Sequence, residues 1–280
     1  MTAPAAHPSA GRHQDLMGPD RAAPLLDVHG IAKSYGSGDT ARHVLGGVHF
    51  EVHDREFVTV VGPSGAGKTT LLRCLAGLLA PDSGEVRLAG APVHAPPEGL
   101  ALVFQDYSRS LLPWMSVLDN VQLPLRRRGS SKGERRAAAQ EALSAVGLAE
   151  AGPLYPWQMS GGMQQRAAIA RALACTPRVL IMDEPFASVD AQTRADLEDL
   201  TLRLQRQRGM TVVLVTHDMD EAVYLADRVV VLSGAPTGVS EIVPVDLGTE
   251  REQVATKLLP AFAELRAHVL GLVRRPAPAE

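Results

Sequence analysis

Short apolar runs recur along the chain, and stretches with helical spacing separate the later ones. Runs of this length bounded by turn residues are typical of buried strands. In the first part of the chain, strands are predicted at LLDVHG from Leu25, Val48–Val52, Phe57–Val61, Val86–Leu88 and Leu100–Phe104. Further strands are predicted at VLIMD (179–183), TVVLV (211–215) and RVVVL (228–232), with helices at Arg194–Gln207 and Met219–Leu225. Strands that alternate with helices indicate an α/β fold with a parallel sheet.

The middle and the end of the chain have a different pattern. Between residues 107 and 175 the apolar spacing is helical, as in the stretch ERRAAAQEALSAVGL. We therefore predict a helical subdomain over about residues 107–166. Residues 250–273 predict one or two amphipathic helices interrupted at Pro260.

These patterns divide the 280 residues into three parts. Residues 1–24 are rich in Ala, Pro, His and Gly, lack periodicity and predict a disordered tail. Residues 25–245 hold the predicted sheet and its helices, and residues 246–280 are predicted to form a C-terminal helical extension. Hydrophobic residues make up 45% of the chain, which excludes a mostly disordered protein.

Charge, cysteines and hydropathy limit the classes of function. A net charge of −3 gives no bulk attraction to nucleic acid or anionic lipid, so no nucleic-acid partner is expected. Cys74 and Cys175 lie in apolar helical patterns, which favours a reducing cytosol over a disulfide framework. The chain shows neither a run of roughly 18–20 apolar residues nor a secretory signal. A role at a membrane is therefore expected to depend on a partner.

Residues 62–69, GPSGAGKT, match the phosphate-loop pattern G-x-x-x-x-G-K-[ST]. The apolar strand FVTVV precedes the loop, and TTLLRCLAGLLA predicts a helix after it. Glycines let backbone N–H groups surround phosphate oxygens, and the helix N-terminus adds the positive end of its dipole. We therefore expect Lys68 to reach the β- and γ-phosphates of a nucleotide and the Thr69 hydroxyl to bind Mg²⁺.

A second apolar strand ends on two carboxylates, Asp183 and Glu184. Charges at the end of a buried strand require a cation or water nearby. Asp183 suits the ligand shell of Mg²⁺, and Glu184 suits the general base that polarises the attacking water.

A third segment, SGGMQQR at residues 160–166, opens a predicted helix. Ser160 can cap this helix and two glycines expose its N–H groups, so it is suited to meet an anion although it lacks a lysine. One domain of this size has no room for two independent nucleotide sites. We therefore expect the segment to close on ATP held by a second copy of the chain; a simple capped helix is the alternative interpretation.

These motifs, in this order, resemble those of the ABC ATPase family, and the resemblance covers about residues 25–245. It implies a P-loop NTPase core with a parallel sheet, an antiparallel β subdomain and a helical subdomain. The family's Q-loop glutamine, D-loop, switch histidine and adenine-stacking aromatic correspond to Gln105, ASVD at residues 187–190, His217 and Tyr35. In two places the family usually has leucine and this chain has Met159 and Val189, which removes no chemical group.

The resemblance implies that ATP and Mg²⁺ are held between two copies of the chain. The nucleotide contacts of one copy correspond to Tyr35, Gly62, Ser64, Gly65, Gly67, Lys68, Thr69 and Thr70. The second copy contributes Ser160 and Gly162, and the D-loop contributes Asp190. The Mg²⁺ ligands correspond to Thr69, Gln105 and Asp183. The catalytic residues correspond to Glu184, His217, Gln105 and Lys68.

The segment LLPWMSVLDNV at residues 111–121 resembles the importer ATPases for nitrate, sulfonates and taurine. The same group includes importers of thiamine-precursor pyrimidines, and a turn packed against the helical lobe is the plain structural interpretation of LPW. The resemblance implies work at the cytoplasmic face of the cell membrane with integral-membrane permease subunits. An extracytoplasmic solute-binding protein is implied as an indirect partner.

Three other classes of protein fit the motifs less well. Non-transport ABC ATPases of DNA repair and chromosome maintenance carry long coiled coils between the phosphate loop and SGG, whereas this chain has a normal-sized lobe without heptads there. Ribosome-acting ABC factors usually join two ATPase domains in one chain, and this chain has one. An interaction protein with inactive motifs is disfavoured by the intact Lys68, Asp183, Glu184 and His217.

Overall fold

The computed structural model describes residues 23–36, 38–105, 110–127 and 129–274. The predicted N-terminal tail, residues 1–24, therefore lies almost wholly outside the described residues. Residues 107–109 of the predicted helical subdomain and residues 275–280 of the predicted extension also lie outside the described residues.

Strands dominate the first part of the chain and alternate with helices later, as the apolar pattern predicts. The strands are β1 (Leu26–Tyr35), β2 (Arg42–Val52), β3 (Phe57–Val61), β4 (Ser83–Leu88), β5 (Ala91–Pro92), β6 (Leu100–Val103), β7 (Val179–Asp183), β8 (Thr211–Val215), β9 (Arg228–Ser233) and β10 (Gly238–Pro244). The α-helices are α1 (Lys68–Leu75), α2 (Val117–Gln122), α3 (Lys132–Ala145), α4 (Gly161–Leu173), α5 (Ala191–Arg208), α6 (Met219–Leu225), α7 (Gln253–Lys257) and α8 (Pro260–Arg274).

The central sheet has the strand order β10-β9-β3-β8-β7-β6. The strands from β9 to β6 are parallel to their neighbours, and β10 is antiparallel to β9. Strands β3, β7 and β8 are buried along their whole length, because packed elements cover both faces of the sheet. The carboxyl ends of β6, β7 and β8 therefore lie side by side at one edge of the sheet.

A smaller antiparallel sheet, β2-β1-β4-β5, covers one face of the central sheet together with α1. Leu26 and Phe50 of this sheet join Val58 of β3 and Leu71 of α1 in one apolar cluster. Strand β2 begins at Arg42, earlier than the predicted start at Val48. The first half of β2, RHVLGG, contains polar residues and glycines, so its strand geometry comes from pairing with β1 and not from apolar alternation.

The other face of the central sheet is covered by helices α4, α5 and α6, and α2 and α3 pack against α4. Helix α3 begins at a capping box, in which the Ser131 hydroxyl accepts from the Glu134 backbone N–H and the Glu134 carboxylate accepts from the Ser131 N–H. The predicted fold class, with a parallel core, an antiparallel β region and a helical region, is confirmed.

The chain after β10 forms two helices, and the predicted break at Pro260 is confirmed because α8 begins there. Phe262, Val269 and Leu272 of α8 are buried in the main apolar cluster. Helix α8 packs on α6 and β9. None of the described helices is both long and apolar enough to cross a bilayer.

Candidate functional site

The loop of residues 62–67 connects the buried strand β3 to helix α1. Gly65 and Gly67 have φ values of 80° and 73°, in the left-handed region that favours glycine. A Cβ atom on Gly67 would come within 2.5 Å of Cγ1 of Val44, so β2 also leaves no room for a side chain. The loop conformation therefore depends on glycine for two reasons, the backbone angle and the close approach of β2.

Lys68 is the first residue of α1, and its side chain folds back over the loop. Its Nζ donates to the carbonyl oxygens of Gly62 at 2.8 Å and Pro63 at 3.0 Å. Burial lowers the pKa of Lys68, while the nearby carboxylates of Glu184 and Asp183 raise it. The ammonium is thus a largely buried cation next to two carboxylates.

A cavity of about 520 Å³ opens beside the loop, within the size range of small-molecule sites. It is lined by Tyr35, Arg42, Val44, Ser64, Gly65, Ala66, Gly67, Lys68, Thr69, Thr70 and Glu184. The side chain of Tyr35 is 43% exposed, and its hydroxyl lies 3.4 Å from the hydroxyl of Thr70. The structure therefore brings the predicted aromatic residue and the phosphate loop to one cavity.

Arg42 lines the same cavity and is absent from the residues predicted from the sequence. It lies directly opposite Tyr35 in the β1–β2 pairing, and opposite residues of an antiparallel pair share one face of the sheet. Arg42 could be recognised as a site residue only if β2 were known to begin there, opposite Tyr35. The apolar pattern does not predict this start of the strand, because the first half of β2 contains polar residues and glycines.

Asp183 ends strand β7 and is buried. Burial raises the pKa of its carboxyl group, and a hydrogen bond with the Thr69 hydroxyl lowers it. The structure therefore brings the predicted Mg²⁺ ligands Thr69 and Asp183 together, with Lys68 close by.

Glu184 has a φ of 42°, a backbone conformation that costs free energy in a residue with a side chain. Its N–H donates to the carbonyl oxygen of Val215 at 2.8 Å, which anchors it to the end of β8. Nε2 of Gln105 donates to Oε2 of Glu184 at 3.1 Å, and Nδ1 of His217 lies 3.0 Å from the same oxygen. The structure therefore brings three of the predicted catalytic residues together at one carboxylate oxygen.

This meeting follows from the strand order. Gln105 lies just after β6, Glu184 directly after β7, and His217 just after β8, and β7 lies between the other two strands. Carboxyl ends of neighbouring parallel strands meet at one edge of a sheet, where ligands bind in α/β folds.

The predicted site residues Ser160 and Gly162 of the segment SGGMQQR, and Asp190 of the D-loop, lie outside the cavity beside the phosphate loop. The Ser160 hydroxyl caps α4 by accepting from the Met163 N–H at 3.3 Å, and a Cβ atom on Gly162 would lie 2.5 Å from Cγ2 of Thr193. Asp190 caps α5 by accepting from the N–H and the hydroxyl of Thr193 at 3.0 and 2.7 Å. Among the described residues, those that line the loop cavity do not include Ser160, Gly162 or Asp190.

Comparison with known proteins identifies relatives with the same motifs. The family model described as ABC transporter matches residues 45–187. MJ0412 of Methanocaldococcus jannaschii, an uncharacterised ABC transporter ATP-binding protein, is 44% identical over 255 residues, covering 91% of this chain and 93% of the relative. The taurine import ATP-binding protein TauB of Chromobacterium violaceum is 50% identical over 196 residues, covering 70% and 74%. The aliphatic sulfonates import ATP-binding protein SsuB 2 of Xanthomonas axonopodis pv. citri is 45% identical over 258 residues, covering 91% and 82%.

A solved structure has the same fold and a related sequence. The dimeric structure of a post-hydrolysis state of the ATP-binding cassette MJ0796 bound to ADP and Pi matches with a TM-score of 0.70 at 32% identity, covering 79% of this chain and 99% of that chain. The chain described here therefore belongs to the ABC transporter family, as an ATPase subunit whose hydrolysis of ATP is coupled to transport.

Proposed function

We propose that this chain powers an importer for taurine, aliphatic sulfonates, nitrate or a related small solute at the cytoplasmic face of the membrane. Its similarity to a taurine import and an aliphatic sulfonates import ATP-binding protein carries this proposal. The segment LLPWMSVLDNV supports it further. The solute is selected by an integral-membrane permease and an extracytoplasmic binding protein, and it does not touch this chain.

The cavity between β2 and the phosphate loop is the ATP site in this proposal. The half-exposed ring of Tyr35 stacks on the adenine, and the loop N–H groups with the N-terminus of α1 hold the phosphates. Nζ of Lys68 exchanges its two carbonyl partners for β- and γ-phosphate oxygens.

The end of β7 fits Mg²⁺. Asp183 is a buried carboxylate whose charged form is disfavoured by burial, so a neighbouring divalent cation stabilises it. Mg²⁺ binds oxygen ligands, with one or two carboxylates and substrate phosphates in most sites. Thr69, Asp183 and the amide oxygen of Gln105 would hold the ion, which when bound neutralises charge on the phosphates.

Glu184 is the general base of hydrolysis in this proposal, and one observation carries the assignment. Gln105 and His217 both contact Oε2 of Glu184, which holds its carboxylate in one orientation. A carboxylate held in this way can accept a proton from a water aligned with the γ-phosphate. Positioning and charge neutralisation supply most of the catalysis of phosphoryl transfer, so no covalent intermediate is required.

A second copy of this chain completes the ATP site. Ser160 and Gly162 are exposed or half-exposed at the N-terminus of α4, and they lie outside the cavity that holds Lys68. Contact with ATP from these residues therefore requires another subunit. The dimeric structure of MJ0796, a related ATP-binding cassette, supports this arrangement.

An apolar groove of about 970 Å³, lined in part by Phe104, the residue before Gln105, is the proposed docking site for the permease. Its lining includes the apolar side chains of Leu102, Leu123 and the half-exposed Phe104 together with the cations Arg126 and Arg127. Apolar area flanked by cations matches a short amphipathic helix with acidic residues. A permease helix in this groove contacts Phe104, the neighbour of Gln105. A shift of Gln105 on ATP binding or hydrolysis can therefore move the permease helix.

The proposed transport function predicts a response to solute. When the chain is reconstituted in vesicles with its permease and solute-binding protein, taurine or an alkanesulfonate is expected to raise ATP hydrolysis. Leu123→Glu places a charge in the apolar groove and is expected to abolish this stimulation and co-purification with the permease. Hydrolysis by the isolated Leu123→Glu chain should stay within about twofold of wild type, because Leu123 does not line the cavity beside the phosphate loop.

Leu258→Glu is the matched control, since Leu258 is 77% exposed on the C-terminal part of the chain. It is expected to leave coupling unchanged. Solutes are compared by the ATP hydrolysis that they elicit, and an importer that responds to none of taurine, alkanesulfonates and nitrate contradicts the proposed solute class.

Arg42→Ala is expected to weaken ATP affinity by about tenfold, since an arginine–phosphate contact is charge-assisted and each factor of ten is about 1.4 kcal/mol. Arg42 lies beside Tyr35 and faces Gly65 of the loop, so it can reach the ribose or the first phosphate. The affinity is measured with a fluorescent ATP analogue. Arg87→Ala, on β4 of the same small sheet, is the control and should leave ATP affinity unchanged. Equal ATP affinities of the two variants would show that Arg42 does not contact ATP.

A further inference from the structure

His217, which corresponds to the family's switch histidine, lies between Thr216 and Asp218, and both of these neighbours are held by hydrogen bonds. Strand β8 ends at Val215, so residues 216–218 form a short link to helix α6. The hydroxyl of Thr216 accepts from the N–H of Asp218 at 3.0 Å, and the Asp218 carboxylate caps α6 by accepting from the N–H groups of Asp220 and Glu221. The link is therefore held on both sides of an exposed histidine.

Thr216 is itself held by a buried carboxylate. Its hydroxyl donates to Oε2 of Glu221 at 2.6 Å, and both residues are at most 3% exposed. A buried ionised carboxylate is costly unless it is paired and hydrogen-bonded. The pKa of Glu221 is raised to about 7, chiefly because the carboxyl group is buried; the negative charges of Asp218 and Glu198 contribute to this rise, and Thr216 and Arg194 oppose it.

Arg194 connects the same cluster to another loop. Its Nη1 forms an ion pair with Oδ2 of Asp218 at 3.1 Å, and its Nε lies 3.7 Å from Oε1 of Glu221. Arg194 is in the first turn of α5, the helix that Asp190 caps. The cluster thus fixes the link that carries His217 relative to the helix that follows residues 187–190.

We propose that Thr216 is a positioning residue, which holds His217 at hydrogen-bond distance from Glu184 through its own contact with the buried carboxylate of Glu221. This inference rests on the proposed catalytic role of His217 and Glu184. The direct partner of His217 is Oε2 of Glu184 at 3.0 Å, and a link free to move by one ångström would break that contact.

A substitution that removes only the Thr216 hydroxyl tests this inference. Thr216→Val keeps the shape of the side chain, but it leaves Glu221 without its closest donor and the Asp218 N–H without an acceptor. Thr216→Ser restores the hydroxyl. The matched control is Thr59→Val, because Thr59 is also fully buried and its hydroxyl donates to the carbonyl of Ala222 in the same helix α6, a contact that does not involve residues 216–218.

The readouts are kcat, KM and ATP affinity of the purified full chain, together with its melting temperature. Thr216→Val is expected to lower kcat about tenfold with KM and ATP affinity unchanged, and Thr216→Ser to recover most of kcat. Thr59→Val is expected to lower the melting temperature by a similar amount while kcat stays near wild type. A purely structural role predicts equal effects of Thr216→Val and Thr59→Val on kcat, and that result would overturn the proposal.

His217→Ala, measured in parallel, separates this inference from the proposed function. If His217→Ala is inactive and Thr216→Val has wild-type kcat, the positioning role of Thr216 is wrong and the role of His217 stands. If His217→Ala retains wild-type kcat, the proposed role of His217 is wrong, and the positioning inference is wrong with it.

Discussion

The Glu184→Gln variant is expected to hydrolyse ATP about 10²–10⁴ times more slowly than wild type, the range by which general-base catalysis contributes to enzymes. The substitution keeps the size of the side chain, so the contacts of Gln105 and His217 with this position are retained in part. It replaces a carboxylate, which can accept a proton from water, with an amide, which cannot. ATP affinity is expected to stay within about twofold, because Lys68 and the phosphate loop are unchanged.

The measurements are steady-state release of phosphate and binding of a fluorescent ATP analogue. Glu198→Gln is the matched control. Glu198 is a carboxylate like Glu184 and is only 1% exposed, but it pairs with Lys257 and Gln253 and does not line the cavity beside the phosphate loop. This variant should hydrolyse ATP at a rate close to wild type. Turnover by Glu184→Gln at more than half of the wild-type rate would exclude Glu184 as the general base.

ATP is expected to convert the Glu184→Gln protein from a monomer of 29.8 kDa to a dimer of twice that mass. Slow hydrolysis keeps ATP in place, and each bound ATP can then contact the N-terminus of α4 in the other copy. Ser160→Asp, added to Glu184→Gln, is expected to abolish this dimer. Aspartate still caps a helix, but it places a negative charge where the γ-phosphate of the partner's ATP approaches.

Light scattering of each protein with ATP, with ADP and without nucleotide measures this effect. Ser160→Asn is the matched control, because asparagine is also a good cap and has the same size as aspartate without its charge. It should retain most of the ATP-dependent dimer. A Glu184→Gln protein that stays monomeric with ATP at high concentration, or that dimerises equally well with Ser160→Asp, contradicts the shared site.

Much of the fold follows from local pattern, and the exceptions have physical causes. The buried strands β3, β7 and β8 are apolar runs with one polar residue each, and their predicted bounds match those of the structure. Strand β2 was predicted six residues short of its true start at Arg42, because polar residues and glycines in its first half carry no alternation. Its hydrogen bonds with β1 come from tertiary pairing, which a local pattern does not contain.

Arg42 and Thr216 show the same limit within the site. Arg42 is one of many arginines in the sequence, and its position opposite Tyr35 depends on the register of two strands. Thr216 is an ordinary residue at the end of an apolar strand until the fold buries Glu221 beside it. Contacts between buried residues depend on which elements pack together, so the type of a single common residue does not predict them.

The sequence by itself determined the chemistry of each motif and the family. A phosphate loop between a strand and a helix, a strand ending in two carboxylates and a capped glycine-rich helix start are local features, set by residue type and spacing. Only the tertiary structure decided which of these groups meet. Gln105 and Glu184 are 79 residues apart, and Glu184 and His217 are 33 apart, yet all three share one oxygen. They meet because β6, β7 and β8 are parallel neighbours, whose carboxyl ends must lie at the same edge of the sheet.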